Sequence, residues 1–197
     1  LLFTLPGTLT MYYGEEIGMT NVPIPPERVQ DPAEKNEPGL GLGRDPERTP
    51  MPWNGTPSAG FTTCRPWLPI GDHESINVAA LEHDPASMLQ LYRNLINLRR
   101  SNLTLVSGAL QSVTVEKNVL SYQRIDDKQR IVVLLNIGSA PETMTVERGT
   151  VLASTYLDRV GQEVIGSIDM RASEGLIICL KTLIRDVPPG SEGADMS

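Results

Sequence analysis

Gly43-Arg44-Asp45-Pro46-Glu47-Arg48-Thr49-Pro50-Met51-Pro52-Trp53 packs three prolines, two arginines, two carboxylates and a tryptophan into eleven residues. Proline lacks the N–H that a helix interior or a central strand requires, so the run must be a loop. Two guanidinium forks and an aromatic face suit a polar ligand that carries many hydroxyls. The same residues also pin long loops without any ligand, through Arg-carboxylate pairs and a buried Trp, and composition alone favours that structural reading.

Other groups with chemical potential are few. Glu15 and Glu16 are adjacent carboxylates, the residue type used for acid/base work. His73 and His83 stand ten residues apart without a second ligand at metal spacing, and both read as loop residues. Cys64 and Cys179 offer neither a metal pattern nor a disulfide framework, so two reduced thiols are expected. Cys179 reads as a small buried hydrophobe, whereas Cys64 lies in a polar loop beside Arg65.

The elements that position these groups follow from periodicity. Leu9 to Tyr13 reads as a short strand ended by Gly14. Residues 20–72 form a long loop rich in Pro, Gly and charge, a class of segment that is often functional. Within it, Pro25 to Gln30 can make one helical turn with proline at its start. Asp84-Pro85 reads as the N-cap and first residue of a helix. Its apolar stripe is Met88, Leu91, Tyr92, Leu95, Ile96 and Leu98, and Arg99 and Arg100 favour its C-terminal dipole. From Leu105 the period changes to two. Strands are expected near 109–115, 118–125, 130–137, 142–147, 150–157 and 175–181, separated by Lys117-Asn118, Asp126-Asp127, Gly138-Ser139, Arg148-Gly149 and Glu174-Gly175. Ile131 to Leu135 is apolar throughout and reads as a central strand covered on both faces. After about Thr182 there is too little apolar surface to order the chain, and a frayed tail is expected.

The 197 residues suffice for one or two domains, and a 40% hydrophobic share suffices for a core. A net charge of −7 argues against nucleic-acid and anionic-membrane partners, which need clustered Lys and Arg. No apolar run approaches the roughly 18 residues of a membrane span. Leu1 to Leu5 is too short for a signal h-region and lacks a basic flank. There are no internal repeats.

The proline-arginine loop resembles the GRD-x-x-RTPM-x-W segment of alpha-glucosidases in the alpha-amylase superfamily of glycoside hydrolases. Leu5-Pro6-Gly7-Thr8 and Tyr12-Tyr13-Gly14-Glu15-Glu16-Ile17-Gly18-Met19 resemble that family's eighth barrel strand and its exit. Ala59-Gly60-Phe61, Trp67-Leu68-Pro69, Ile76-Asn77-Val78 and the helix ending Leu98-Arg99-Arg100 follow in the family's order. The resemblance implies an α+β chain: the remnant of the end of a (β/α)₈ barrel, followed by an antiparallel β-sandwich. Residues 1–103 would hold the last barrel strand, the substrate-side loop and the last barrel helix. Residues 104–182 would form the sandwich and 183–197 the tail. A whole barrel takes about 250 residues.

By the same resemblance the reaction is a retaining release of terminal glucose from short alpha-glucosides. The nucleophile Asp, the acid/base Glu and a third Asp would all lie before Leu1, so the chain holds no catalytic residue and is expected to be inactive alone. Glu15 and Glu16 would fix loops near the barrel mouth. Arg48 would reach the terminal glucose, while Arg44 and Asp45 would brace the loop by a salt bridge. Pro46-Glu47 departs from the family pattern and adds a negative charge beside Arg48. No cofactor or metal is implied; the two reduced thiols point to a cytoplasmic location. A trehalose-forming or sucrose-converting transglycosylase, and a non-catalytic interaction module of the superfamily, are the alternatives. A lone barrel strand would have unpaired edges. Residues 1–20 are therefore expected to be disordered, folded back on the β domain, or paired between copies.

Overall fold

The computed structural model describes residues 1–181, so the expected tail lies outside the described residues. Among the described residues six strands follow four helices. The strands are β1 (Ala109–Glu116), β2 (Val119–Ile125), β3 (Arg130–Asn136), β4 (Glu142–Ser154), β5 (Glu163–Met170) and β6 (Gly175–Leu180), and the helices are α1 (Pro32–Asn36), α2 (Val78–His83), α3 (Met88–Ser101) and α4 (Leu103–Ser107). The strands pair antiparallel in the order β1-β2-β3-β6-β4-β5. β3 sits between β2 and β6 with Ile131 to Leu134 buried, as its unbroken apolar run requires.

The two expected strands 142–147 and 150–157 are one strand of 13 residues with an irregularity. Its register slips between Val146 and Gly149, so Arg148-Gly149 is a bend inside β4 and not a turn between strands. A Cβ at Gly149 would lie 2.6 Å from the Cys179 carbonyl, which is why only glycine fits there. The bend lets the sheet fold over itself as a sandwich. Val119, Val132 and Leu134 share one core with Met144, Val146, Val164, Ile168 and Met170. Leu105, Tyr122, Ile131, Val133, Ala153 and Ile177 form a second core on the opposite face, packed against Leu5, Leu95 and Leu98. β5 was not anticipated, because Gly166, at φ 79°, interrupts its alternation.

The start of α3 also differs from expectation. A residue before proline avoids the helical region. Asp84 therefore ends α2 in an extended conformation, and its carboxylate accepts only the Ala86 N–H, at 2.8 Å. Ser87 caps α3 instead, accepting from Gln90 N–H, and Asn77 caps α2, accepting from Ala80 N–H. Leu89, which the expected stripe left out, is the buried apolar residue of α3; Leu91, Tyr92, Leu95, Ile96 and Leu98 are half-buried and Met88 is exposed. The turn at Pro26–Arg28 forms as the prolines require.

Residues 1–20 contain no strand; Glu15–Ile17 is a 3₁₀ turn between Gly14 and Gly18, both with positive φ. A strand needs a neighbour for its backbone groups, and here arginines supply it. Arg99 donates to the carbonyls of Phe3, Leu5 and Gly7 at 2.9, 2.9 and 2.7 Å. Arg124 donates to Thr4 at 2.6 Å and to Leu105 and Gly108. The hydroxyls of Thr4 and Tyr122 share a hydrogen bond, and Phe3 meets Tyr92 edge to face. Residues 3–7 are thus folded back against α3 and β2.

Arg124 is fully buried and answered only by carbonyls. Replacing it with methionine strands those acceptors, and urea unfolding should register a loss of about 3 kcal/mol. A second buried charge is Glu174. Burial alone would raise its carboxyl pKa, but the Arg171 guanidinium and N–H, Ser154 and Arg159 together hold it below its ordinary value of 4.5. A depressed carboxylate contributes stability that is present above that value and lost as pH falls through the folded one. The unfolding midpoint should therefore drop in acid, and Glu174→Gln should flatten that acid limb.

Candidate functional site

The site is built on one carboxylate that sequence reasoning passed over. Asp31 precedes Pro32 and caps α1, accepting from Ala33 N–H at 2.9 Å. Its second oxygen accepts from the backbone N–H and Nε of Arg44, at 3.3 and 3.4 Å, and lies 3.6 Å from the Arg48 guanidinium. The Ala33 and Arg44 N–H groups, then the Arg44 charge, hold the Asp31 carboxyl below the ordinary carboxylate range.

The expected Arg44–Asp45 salt bridge is not formed. Asp45 opens a 3₁₀ turn (Asp45–Glu47) and turns inward, where one oxygen accepts the N–H groups of Gln30 and Asp31. Buried backbone donors demand a partner more strictly than a solvated arginine does, so Asp45 goes to them. Arg44 pairs with Asp31 instead, 13 residues away, a contact that depends on how the loop returns. Glu34 closes the far side by accepting from the N–H groups of Gly39, Leu42 and Gly43.

Tyr13 is the other brace that was missed. Its hydroxyl donates to the Thr49 carbonyl at 2.9 Å and lies 3.3 Å from that of Glu47. Val22 N–H donates to the Pro46 carbonyl. Clefts flank the turn on both sides. One of 180 Å³ is lined by Ile24, Val29, Glu34, Asp45 and Pro46. Another of 180 Å³ is lined by Tyr12, Tyr13, Glu15, Glu47 and Thr49. Arg48 sits at this turn with 42% of its side chain exposed, while Asp31 beneath it is 2% exposed. The guanidinium meets the Asp31 carboxylate at 3.6 Å, and its donors stay open to solvent or ligand.

Trp53 is not buried as a loop pin would be; it is 51% exposed. Its turn is tied down by Trp53 N–H to the Ala59 carbonyl and by the Pro52 and Trp53 carbonyls to the N-terminus of α2. Glu16 accepts the Gly14 N–H and so shapes the loop exit. His73 and His83 each contact a nearby backbone carbonyl. Among the described residues no group of three or more His, Cys, Asp or Glu could hold a metal ion, and no helix is long and apolar enough to cross a membrane. Both cysteines are free; Cys64 is exposed and Cys179 half-buried, with burial pushing its thiol pKa up.

Residues 1–108 match the family model described as alpha amylase, catalytic domain. The chain is 33% identical over 183 residues to glucan 1,6-alpha-glucosidase of Streptococcus pneumoniae serotype 4, covering 84% of this chain and 34% of that protein. It is 35% identical over 155 residues to oligo-1,6-glucosidase of Parageobacillus thermoglucosidasius, covering 68% of this chain and 28% of that one. The crystal structure of trehalulose synthase from Pseudomonas mesoacidophila MX-45 superposes with a TM-score of 0.79 at 25% identity, over 91% of this chain and 37% of that one. The chain thus spans about a third of the length of these relatives.

If Asp31 organises this loop, Asp31→Ala removes its cap and its charge together. Trypsin should then cut faster at Arg44 and Arg48, and the local cost should be about 1 kcal/mol. Asp31→Asn keeps a capping oxygen and should fall between the two.

Proposed function

Because this chain belongs to the alpha-amylase family, we propose that it supplies the substrate-side wall and the C-terminal β domain of an alpha-glucosidase that releases terminal glucose from short alpha-glucosides. The relatives named as glucosidases support the substrate class. The observation that carries the reading is Arg48, held from below by a buried carboxylate and open above. A guanidinium in that posture can donate to sugar hydroxyls and hold a neighbouring carboxylate without losing its orientation. Arg44 and Asp45 take supporting roles. Asp45 fixes the turn from inside, and Arg44 neutralises part of the Asp31 charge.

In this reading the bond is cut elsewhere. A retaining glycosidase uses two carboxylates about 5–5.5 Å apart, one as nucleophile and one as acid/base. Those groups, and the third acid, belong to the part of the barrel that this chain does not include. Transfer to another sugar is the second reading, and the likeness to a trehalulose synthase favours it. Glu47, exposed at the turn beside Arg48, is the residue that would tune the outer part of the site between the two. Two free thiols fit a reducing compartment, and the cytoplasm is the proposed location. A net charge of −7 leaves a small neutral sugar, rather than nucleic acid, as the proposed partner.

The 197-residue chain alone should release no product from an aryl alpha-glucoside, and turnover by it overturns this reading. Joined to a family barrel that carries the three acids, it should hydrolyse that substrate. There Arg48→Ala should lower kcat/KM by about 100-fold while leaving the unfolding midpoint in place.

A further inference from the structure

Asn54 is followed by Gly55, and it is the sole asparagine of nine whose next residue is glycine; Val, Leu, Ile or Glu follows the others. The structure adds two features to that pairing. The Asn54 side-chain carbonyl accepts the Thr56 hydroxyl at 2.6 Å and the Thr56 N–H at 3.0 Å. Both donors draw electron density from Cγ and would steady an oxyanion formed there. The Gly55 N–H, in contrast, has no hydrogen-bond partner among the described residues. Nothing crowds Gly55 either: even an added Cβ would meet no atom closer than 3.9 Å.

We propose that Asn54 is a built-in deamidation site, converted to aspartate and isoaspartate through a succinimide. Solvent base removes the Gly55 amide proton, and that nitrogen attacks Asn54 Cγ. The new N–Cγ bond closes a five-membered ring, the Cγ–Nδ2 bond breaks, and ammonia leaves with a proton from water. Water then adds to one of the two ring carbonyls. Opening at Cγ yields aspartate, and opening at the Asn54 backbone carbonyl yields isoaspartate. No oxidant or reductant is consumed.

Other asparagines lack this arrangement. The N–H after Asn77 donates to the Pro52 carbonyl, and the N–H after Asn136 donates to the Asn118 carbonyl. Both asparagines are buried, with their amides engaged on backbone carbonyls. At Asn54 the aspartate product would accept the same two Thr56 donors more strongly, because a charged acceptor makes the stronger bond. The isoaspartate product lengthens the backbone beside the Trp53 and Asn54 N–H groups, which both donate to the Ala59 carbonyl. Conversion would therefore place a negative charge on the loop that carries Arg48 and loosen the turn that presents Trp53.

The test is peptide mapping by mass spectrometry after incubating the intact chain in mildly alkaline and mildly acidic buffer. Asn54 should exchange its amide for a carboxyl faster than the other eight asparagines, faster in alkali, with isoaspartate present. Gly55→Ala fits the open space at that position and should slow conversion about tenfold, since a Cβ hinders ring closure. The inference fails if the native chain keeps the Asn54 amide while the urea-unfolded chain loses it, because the fold then protects the site. It fails equally if Gly55→Ala converts at the native rate, or if aspartate forms without isoaspartate.

Discussion

Two buried arginines answering backbone carbonyls hold this molecule together. Arg99 and Arg124 come from different units, a helix and a strand, and converge on residues 3–7. Burial and the nearby Arg99 charge push the Arg124 pKa down, so the arrangement is costly unless its donors are all used. Three carbonyls answer Arg99 and three more answer Arg124, and that satisfaction makes the burial tolerable. The clamp welds the segment that leads into the site to the β domain. Without it, Tyr13 would have no fixed origin from which to reach the loop carbonyls.

The site repeats the same logic with the sign reversed. Asp31 and Asp45 are buried carboxylates that gather N–H groups from a loop with too few backbone bonds of its own. Residues 20–72, with α1 as their one α-helix, would otherwise sample many shapes. Inward carboxylates set the path of the chain, and Arg48 is left exposed as a consequence of that path.

Local signals were legible wherever one residue type permits few conformations. The prolines forced the turn at Pro26–Arg28 and the loop around Arg48. The apolar run of β3 forced a central strand. Failures came where one signal admits two outcomes. Asp-Pro marks a helix start at Asp31-Pro32, yet at Asp84-Pro85 the same pair ends one helix and precedes another. Gly149 reads as a turn in sequence but is a bend within one strand, because what it avoids is a carbonyl from β6. Leu9 to Tyr13 has strand-like residues, but a strand exists only where another edge receives it.

In the candidate site the prolines marked residues 43–53 as a loop, whereas the choice of Arg48 within it came from the family resemblance and not from composition. The partners were not. Arg44 beside Asp45 looks like an ion pair along the chain, and the fold separates them because Asp45 must satisfy buried N–H groups while Arg44 can remain wet. Covalent order alone determined which residues occupy the loop and where the period changes from helix to strand. Tertiary structure alone decided which charges meet, because a buried donor takes whichever acceptor the fold delivers, however distant it is along the chain.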